Sequence, residues 1–160
     1  MAWQLRRAAA GDLDRIMLIE NSSFLSDAWS RDGMRSELAN RQCYYLVAFR
    51  PETPKRIEGY AGLFAPRGAQ EADVQTIAVA EGSRREGLGQ LLVQSLVAEA
   101  RSRGVQEIFL EVRADNPGAH TLYASLGFER IAVRVAYYQP DGMDAIVMRL
   151  RLDTPRTVLA

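Results

Sequence analysis

The segment Arg84–Gln90, with the sequence RREGLGQ, has the residue types and spacing that most clearly indicate chemistry. It follows a strand-like run that ends at Val79, and its glycines, Gly87 and Gly89, open a helix-patterned run. The N–H groups in the first turn of a helix have no partner within the helix, and the positive end of the helix dipole lies at the same point. The pattern therefore predicts a phosphate site made by main-chain groups.

The residues around the two glycines restrict the kind of phosphate ligand. No Gly-Lys-Ser/Thr follows them, so the segment is not a Walker loop. Leu91 and Leu92 stand where a dinucleotide fingerprint has its third glycine. We therefore expect a pyrophosphate held by main chain. Arg84 and Arg85 either contact phosphate oxygens or are solvated loop charges, and Glu86 is expected to point to solvent.

A second feature is Glu111, a carboxylate within the apolar run Glu107–Val112. We interpret this run as a strand that is buried on both of its faces. A carboxylate in such a strand is costly unless it is paired or functional, which makes Glu111 a candidate general base. The alternative is an ion pair with Arg113, two residues along on the same face. The residues alone leave both interpretations open.

The periodicity of the apolar residues predicts the elements that must position these groups. The predicted strands are Trp3–Arg7, Tyr44–Phe49, Ile57–Phe64, Glu71–Val79, Glu107–Val112, Phe128–Tyr138 and Ala145–Leu152. The predicted helices are Asp12–Phe24, a short helix capped by Ser30, Leu88–Arg103 and Pro117–Leu126. A long helix between two strands predicts a right-handed parallel crossover. The order indicates a mixed α/β sheet in one domain over residues 1–152, followed by a flexible tail at 153–160.

The composition limits the function classes. The chain has 160 residues, enough for one domain with a core, and 20 basic residues balance 20 acidic ones. Nothing in this balance suggests binding to nucleic acid or to an anionic membrane. Cys43 is the single cysteine, and neither a signal peptide nor a membrane span is visible, so we expect a cytoplasmic protein. His120 has no neighbouring ligand residues, and we expect no metal.

Several motifs carry a family resemblance that spans about Leu5 to Leu150. The pattern Arg84-x-x-Gly87-x-Gly89 after a strand resembles the acyl-CoA pyrophosphate loop of the GCN5-related N-acetyltransferases (GNAT). The runs LEVRADN at 110–116 and AHTLYASLGF at 119–128 resemble the RimI branch, whose members acetylate the N-terminal alanine of a small-subunit ribosomal protein. Ala28-Trp29-Ser30, Tyr137-Tyr138 and the run DAIVM at 144–148 also match that branch.

The resemblance implies a GNAT fold, in which a mostly antiparallel sheet of six to seven strands is splayed at the acyl-CoA site and flanked by about four helices. It also implies that Glu111 accepts a proton from the amine. Tyr123 would be the acid, because a phenol with a pKa of ~10 can protonate a departing thiolate with a pKa of ~8.5 only slightly uphill. Without the resemblance, packing against Leu122 and Leu126 is the favoured interpretation of Tyr123.

The resemblance further implies acetyl-CoA as cosubstrate and a protein or peptide N-terminus as partner, in a monomer or weak dimer. The implied peptide site is Trp29, Tyr137 and Tyr138, with core packing as the alternative. Asn116 would contact the pantetheine arm or cap the following helix. The implied cofactor residues are Ile77, Ala78, Val79, Arg84, Arg85, Glu86, Gly87, Leu88, Gly89, Gln90 and Asn116. Main-chain groups of residues 77–79 can face the arm only if this strand separates from its neighbour.

Two other functions stay open. One is a related transferase that acts on a small amine or on lysine side chains, which would need a narrower or more acidic acceptor pocket. The other is a non-catalytic module that binds acyl-CoA, which would keep Gly87 and Gly89 but lack an acid and a base.

Overall fold

The computed structural model describes residues 2–24 and 27–152. The predicted tail at 153–160 lies outside the described residues. The elements are β1 (Gln4–Arg7), α1 (Leu13–Ser23), α2 (Arg31–Ala39), β2 (Cys43–Phe49), β3 (Ile57–Phe64), β4 (Glu71–Val79), α3 (Leu88–Ser102), β5 (Glu107–Arg113), α4 (Pro117–Ser125), β6 (Glu129–Tyr138) and β7 (Met143–Arg151). Short 3-10 turns precede α1 and follow β4, at Ala10–Asp12 and Glu81–Ser83.

The strands form one mixed sheet in the order β1-β2-β3-β4-β5-β7-β6. Every neighbouring pair is antiparallel except β4 and β5, which are parallel and joined through α3. The predicted mixed α/β sheet of six to seven strands with about four helices is therefore confirmed. None of the helices in the described ranges 2–24 and 27–152 is long and apolar enough to cross a lipid bilayer.

Two apolar clusters pack against the sheet. In the first, α3 contributes Leu88, Leu92 and Leu96, which are at most 1% exposed and share one helix face because their spacing is four residues. In the second, Ile16 of α1 and Met34 of α2 pack with Tyr60 of β3, and all three are fully buried. The helices are thereby fixed to the sheet, and α3 is held so that its N-terminus lies just beyond the end of β4.

Strand β5 is not buried on both faces, contrary to the prediction. Its residues alternate: Ile108, Leu110 and Val112 are buried, whereas Phe109 and Glu111 are only half-buried. Ile108, Leu110 and Val112 pack in the apolar cluster that includes α3, whereas Phe109 and Glu111, on the opposite face, line an open cleft. Alternation of this kind is typical of a strand with one solvated face.

Gly62 in β3 provides a test of this packing. A Cβ at Gly62 would overlap the ring of Tyr45, which is 3% exposed and whose hydroxyl donates to Gln75 Oε1 at 2.7 Å. We expect Gly62→Ala to lower the free energy of unfolding by about 3 kcal/mol, because a filled core accepts extra volume only by moving its neighbours. Urea unfolding measures the change. Gly11→Ala is the matched control, since a Cβ there has no atom within 4 Å; equal stability of the two variants would contradict the packing at Gly62.

Candidate active site

Strands β4 and β5 separate partway along their length. Residues Glu71–Asp73 of β4 pair with residues Glu107–Phe109 of β5. Beyond Asp73, the described part of β4 pairs with β3 and not with β5. A bulge accompanies the separation, because Gly62 pairs with Thr76 and the next residue, Leu63, pairs with Val74. The predicted splay of the sheet is therefore confirmed. Residues 77–79 of β4 lie beyond the split, and their main-chain groups on that edge pair with no strand within residues 2–24 and 27–152.

A cleft of about 1040 Å³ opens at this separation. Seven of the side chains predicted for the site from the sequence contribute to its lining, and they come from five different parts of the chain. They are Trp29, Ile77, Glu111, Asn116, Tyr123, Tyr137 and Tyr138. The fold thus brings the predicted acid, the predicted base and the aromatic residues into one space.

Glu111 lies on the half-buried face of β5, opposite Val147 of β7, and its side chain is 27% exposed. The alternative pairing with Arg113 is wrong, because Arg113 pairs with Asp115 at 3.0 Å and Asp141 at 2.5 Å. Instead, Arg134 of β6 places Nε 3.2 Å from Glu111 Oε1. The arginine side chain is 58% exposed, and ion pairs of this kind contribute at most about 1 kcal/mol. Arg134 can therefore move away from the carboxylate without a large cost.

Tyr123 lies on α4 and is 6% exposed. Its ring packs edge-on against Phe128, with centroids 5.8 Å apart, so the packing role is real. The residue also lines the cleft, and the two roles are compatible. Burial raises the pKa of the Tyr123 hydroxyl above its ordinary value, and Tyr138 adds to this effect. The hydroxyl is therefore protonated at neutral pH, which suits a hydrogen-bond or proton donor and excludes a base.

The aromatic residues form the other wall of the cleft. Tyr137 and Tyr138 meet edge-on with ring centroids 5.1 Å apart. Burial, followed by the nearby Glu111 carboxylate, raises the pKa of Tyr138 to about 12. Contact with the Glu111 carboxylate, followed by burial, raises the pKa of Tyr137. Both hydroxyls therefore stay neutral and lie near Glu111, at a place where an incoming polar group would meet all three side chains.

Asn116 caps α4, as one of its two predicted roles requires. Its Oδ1 accepts from Ala119 N at 3.2 Å, and α4 begins at Pro117, where proline is favoured because its missing N–H needs no partner. The helix therefore begins at Pro117, as the sequence predicts. Since Asn116 also lines the cleft, its side-chain amide remains available on that side.

The segment Arg84–Gln90 lies past the end of β4 and does not contribute to the lining of the cleft. Gly87 precedes α3 with φ at +79°, a left-handed conformation that glycine adopts without strain. No side chain of the described residues caps this helix, and Leu91 N makes the first helical bond, to Gly87 O at 3.1 Å. The uncapped N–H groups and the helix dipole fit an anionic group.

Two side chains of the segment are oriented by the protein itself. Arg84 Nε donates to Val79 O at 3.1 Å, which fixes the segment to the end of β4. The Glu86 side chain is 44% exposed, as predicted, and Arg50 Nη2 lies 2.6 Å from its Oε2. The sequence did not reveal this ion pair, because Arg50 follows β2 and is far from Glu86 along the chain.

Sequence reasoning missed Glu20, a carboxylate on α1 that also lines the cleft. Glu20 is 1% exposed and accepts hydrogen bonds from Trp29 N at 2.9 Å, from Thr76 Oγ1 at 3.1 Å and from the Tyr60 hydroxyl. Burial raises its pKa, and Asp27 contributes to the same effect. The available signal was its position on the apolar face of α1, where a carboxylate is costly unless it is paired.

Acidic side chains continue along the floor of the cleft, where Glu71 and Asp73 lie at the point of separation. Burial raises the pKa of Asp73, and the carboxylates of Glu71 and Glu111 raise it further because like charges oppose ionisation. The cleft therefore has a negative potential, which favours a cationic or amine-bearing acceptor.

Known proteins are similar to this chain in both sequence and fold. The chain matches the acetyltransferase (GNAT) family over residues 13–128. It is 36% identical over 141 residues to the N-alpha-acetyltransferase RimI of Mycobacterium tuberculosis, covering 86% of this chain and 85% of that protein. A Mycobacterium leprae protein of uncharacterized function is 39% identical over 141 residues, but the chain spans only 38% of its length.

The fold is also similar to that of an N-acetyltransferase. The crystal structure of the ribosomal-protein-S18-alanine N-acetyltransferase from Escherichia coli superposes with a TM-score of 0.84 at 29% identity, covering 99% of each chain. The family match spans more than half of this chain and includes the segment Arg84–Gln90, β5 and α4. The chain therefore belongs to the acetyltransferase (GNAT) family, within which it is of the RimI type, and is an acetyl-CoA-dependent N-acetyltransferase.

Proposed function

We propose that this enzyme moves the acetyl group of acetyl-CoA to the α-amine of an N-terminal alanine, on a small-subunit ribosomal protein in the cytoplasm. The observation that carries the proposal is the cleft at the split between β4 and β5, which is lined by Glu111, Tyr123 and the tyrosine pair at 137–138. The M. tuberculosis relative is an N-alpha-acetyltransferase and the E. coli neighbour is a ribosomal-protein-S18-alanine N-acetyltransferase, and both support this acceptor.

The two substrates would enter the split from opposite ends. The main chain of residues 85–90, at the uncapped start of α3, would hold the pyrophosphate of acetyl-CoA. Residues 77–79 would present their free edge to the pantetheine arm and to the thioester oxygen, and Asn116 would donate its side-chain amide to the same arm. Trp29, Tyr137 and Tyr138 would hold the first residues of the acceptor, because rigid aromatic rings with a polar edge suit a peptide.

The chemistry then needs only proximity and the movement of protons. The α-ammonium group first loses one proton to solvent, so the acceptor reacts as a neutral amine. As its nitrogen lone pair attacks the thioester carbon, the Glu111 carboxylate accepts a second proton from that nitrogen, directly or through a water molecule, and later releases it to solvent. The new C–N bond forms and the C–S bond breaks. Tyr123 donates its phenolic hydrogen to the departing sulfur, and solvent later restores that hydrogen. Because burial raises the pKa of Tyr123, donation coupled to C–S cleavage is favoured over complete transfer before cleavage.

An α-amine is the easier acceptor for such a base. Its pKa is ~7.7–8, against ~10.4 for a lysine side chain. At the same pH, deprotonating the lysine therefore costs about 3 kcal/mol more free energy than deprotonating the α-amine. The single, partly exposed carboxylate of Glu111 is an adequate base for the α-amine. The volume of the cleft, about 1040 Å³, is at the upper end of small-molecule pockets and accommodates the end of a peptide together with a pantetheine arm.

One observation favours a second candidate, a transferase for a small polyamine or for lysine side chains. Glu20, Asp27, Glu71 and Asp73 add negative charge to the lining of the cleft, which would attract any cationic acceptor. The aromatic wall and the width of the cleft favour the peptide, since a small amine would leave much of this surface in water.

A thiol-release assay separates the two candidates. Acetyl-CoA is incubated with the enzyme and with a peptide that begins Ala-Arg, with the same peptide blocked at its N-terminus but carrying lysine, or with spermidine. We expect thiol release with the free N-terminus only. Release with spermidine but not with the free peptide would replace the proposal by the second candidate. Mass spectrometry of protein N-termini from cells with and without the enzyme then identifies the acceptor.

Tyr123→Phe tests the proposed acid. The substitution removes one oxygen and keeps the ring that packs on Phe128, so the fold is expected to survive. We expect kcat to fall by about a hundredfold with little change in the KM for either substrate, since general acids typically contribute that much or more. The loss should shrink when the leaving thiol is made more acidic, as in an acetyl thioester of an aromatic thiol. If kcat fell by the same factor with every leaving group, Tyr123 would have a packing role alone.

A further inference from the structure

Two consecutive residues of β6, Tyr137 and Tyr138, both line the cleft. Successive side chains of a regular strand point to opposite faces of the sheet. A regular β6 would therefore direct one tyrosine into the cleft and the other away from it. The backbone between Arg134 and Tyr138 must depart from regular strand geometry.

The register shows where this departure occurs. Arg134 pairs with Ala145 of β7, and Tyr138 pairs with Met143, so residues 135–137 of β6 lie opposite Asp144 alone. Within this bulge Ala136 has φ at +53°, the left-handed region that alanine rarely adopts. Bulges of this kind redirect side chains at the edges of sheets. Here the bulge places both rings on the cleft side.

Gln139 Nε2 donates to Ala136 O at 2.7 Å, and the side chain that bonds the N–H of Ala136 belongs to Asp144. Its Oδ1 accepts a hydrogen bond from Ala136 N at 2.8 Å, at the residue of the bulge whose φ is positive. Its main-chain oxygen accepts from Ala114 N at 2.9 Å, which joins the same residue to the end of β5, three residues beyond Glu111. Asp144 therefore connects the bulge of β6 to the strand that carries the proposed base.

We propose that Asp144 is a positioning residue for the acceptor site: its carboxylate stabilises the left-handed Ala136 and so holds Tyr137 and Tyr138 against the cleft. The inference rests on the proposed function, because it assigns the tyrosines to the acceptor rather than to acetyl-CoA. Asp144 itself is not among the residues that line the cleft, so it acts through the bulge and not by contact with the acceptor.

The test uses four variants of the full chain and one control variant. Asp144→Ala removes the hydrogen-bond acceptor, whereas Asp144→Asn keeps an oxygen in its place. Ala136→Val leaves Asp144 intact but adds a β-branched side chain that disfavours a positive φ. The double variant Asp144→Ala with Ala136→Gly removes the bond and at the same time removes the strain. Glu129→Ala, on the same strand but at its other end, is the control.

We expect the KM for the Ala-Arg peptide to rise about tenfold in Asp144→Ala and in Ala136→Val, as for the loss of one hydrogen bond to a charged group. The KM for acetyl-CoA should stay unchanged. Asp144→Asn, the double variant and Glu129→Ala should have peptide KM values close to that of the wild type. Equal rises in both KM values, or no recovery in the double variant, would overturn the proposal.

A second measurement does not depend on activity. Hydrogen exchange of the Ala136 amide, followed by NMR, should be faster in Asp144→Ala than in the wild type, and slow in Asp144→Asn. Unchanged exchange in Asp144→Ala would refute the hold on the bulge whatever the acceptor is. A different result is faster exchange in Asp144→Ala together with a wild-type enzyme that acetylates no peptide. That result would contradict the proposed function and its acceptor site, but it would support the role of Asp144 in holding the bulge.

Discussion

Replacing Glu111 by glutamine is expected to lower kcat by about a hundredfold to ten-thousandfold, the range that a general base contributes. The affinity for acetyl-CoA should stay the same, because the segment Arg84–Gln90 lies past the end of β4 and away from β5. The fold should also survive, since the Glu111 side chain is 27% exposed and its ion pair with Arg134 is weak. Steady-state kinetics gives kcat, and calorimetric titration gives the Kd for acetyl-CoA.

Glu107→Gln is the matched control for this prediction. Glu107 lies on the same strand and the same face, with a similarly exposed side chain, and it also faces an arginine, with Arg149 Nη1 at 3.5 Å. It does not line the cleft, so its substitution should leave kcat unchanged. If Glu111→Gln kept the wild-type rate and the wild-type pH–rate profile, another group would have to be the base. Glu20 would then be the next carboxylate to test, because it lines the same cleft.

Replacing Gly87 by aspartate should weaken the binding of acetyl-CoA by about a hundredfold or more, equivalent to about 2.8 kcal/mol. Two effects act together. The new carboxylate would lie beside the uncapped N–H groups that are proposed to hold the pyrophosphate, and like charges repel. A side chain at φ +79° is also strained, which disturbs the turn that exposes those groups. Calorimetry with acetyl-CoA measures the loss of affinity directly.

Gly68→Asp separates the local effect from a general one. Gly68 has φ at +82°, and a Cβ there meets no atom within 4 Å, as at Gly87. It lies between β3 and β4 and outside the proposed site. The same charge and the same backbone strain are therefore introduced at another exposed turn. Equal affinity for acetyl-CoA in the two variants would show that the start of α3 does not bind the pyrophosphate.

Much of the fold could be predicted because its signals are local. The start of α4 depends on Asn116 and Pro117, which are adjacent, and the face of α3 depends on leucines spaced by four residues. The uncapped start of α3 also follows from a few neighbouring residues around Gly87. Such features need no knowledge of which strand lies beside which.

The parts that could not be predicted depend on strand order and register. Glu111 meets Arg134, and not Arg113, because β6 lies on the outer side of β7 in the sheet. Glu20 is satisfied by donors from three separate places, the segment before α2, β3 and β4. The cleft beside β5 opens where β4 separates from it beyond Asp73, and this separation depends on a partner strand that the β5 sequence does not specify.

The sequence by itself determined the elements, the glycine turn that begins α3 and the residue types proposed for proton transfer, because periodicity, capping and glycine geometry act over a few residues. The tertiary structure alone decided which of these residues share a cleft, which charges pair, and that a bulge held by Asp144 aims both Tyr137 and Tyr138 at it. The physical reason is that pairing register joins residues far apart in the chain, and a shift of one residue sends every side chain to the opposite face.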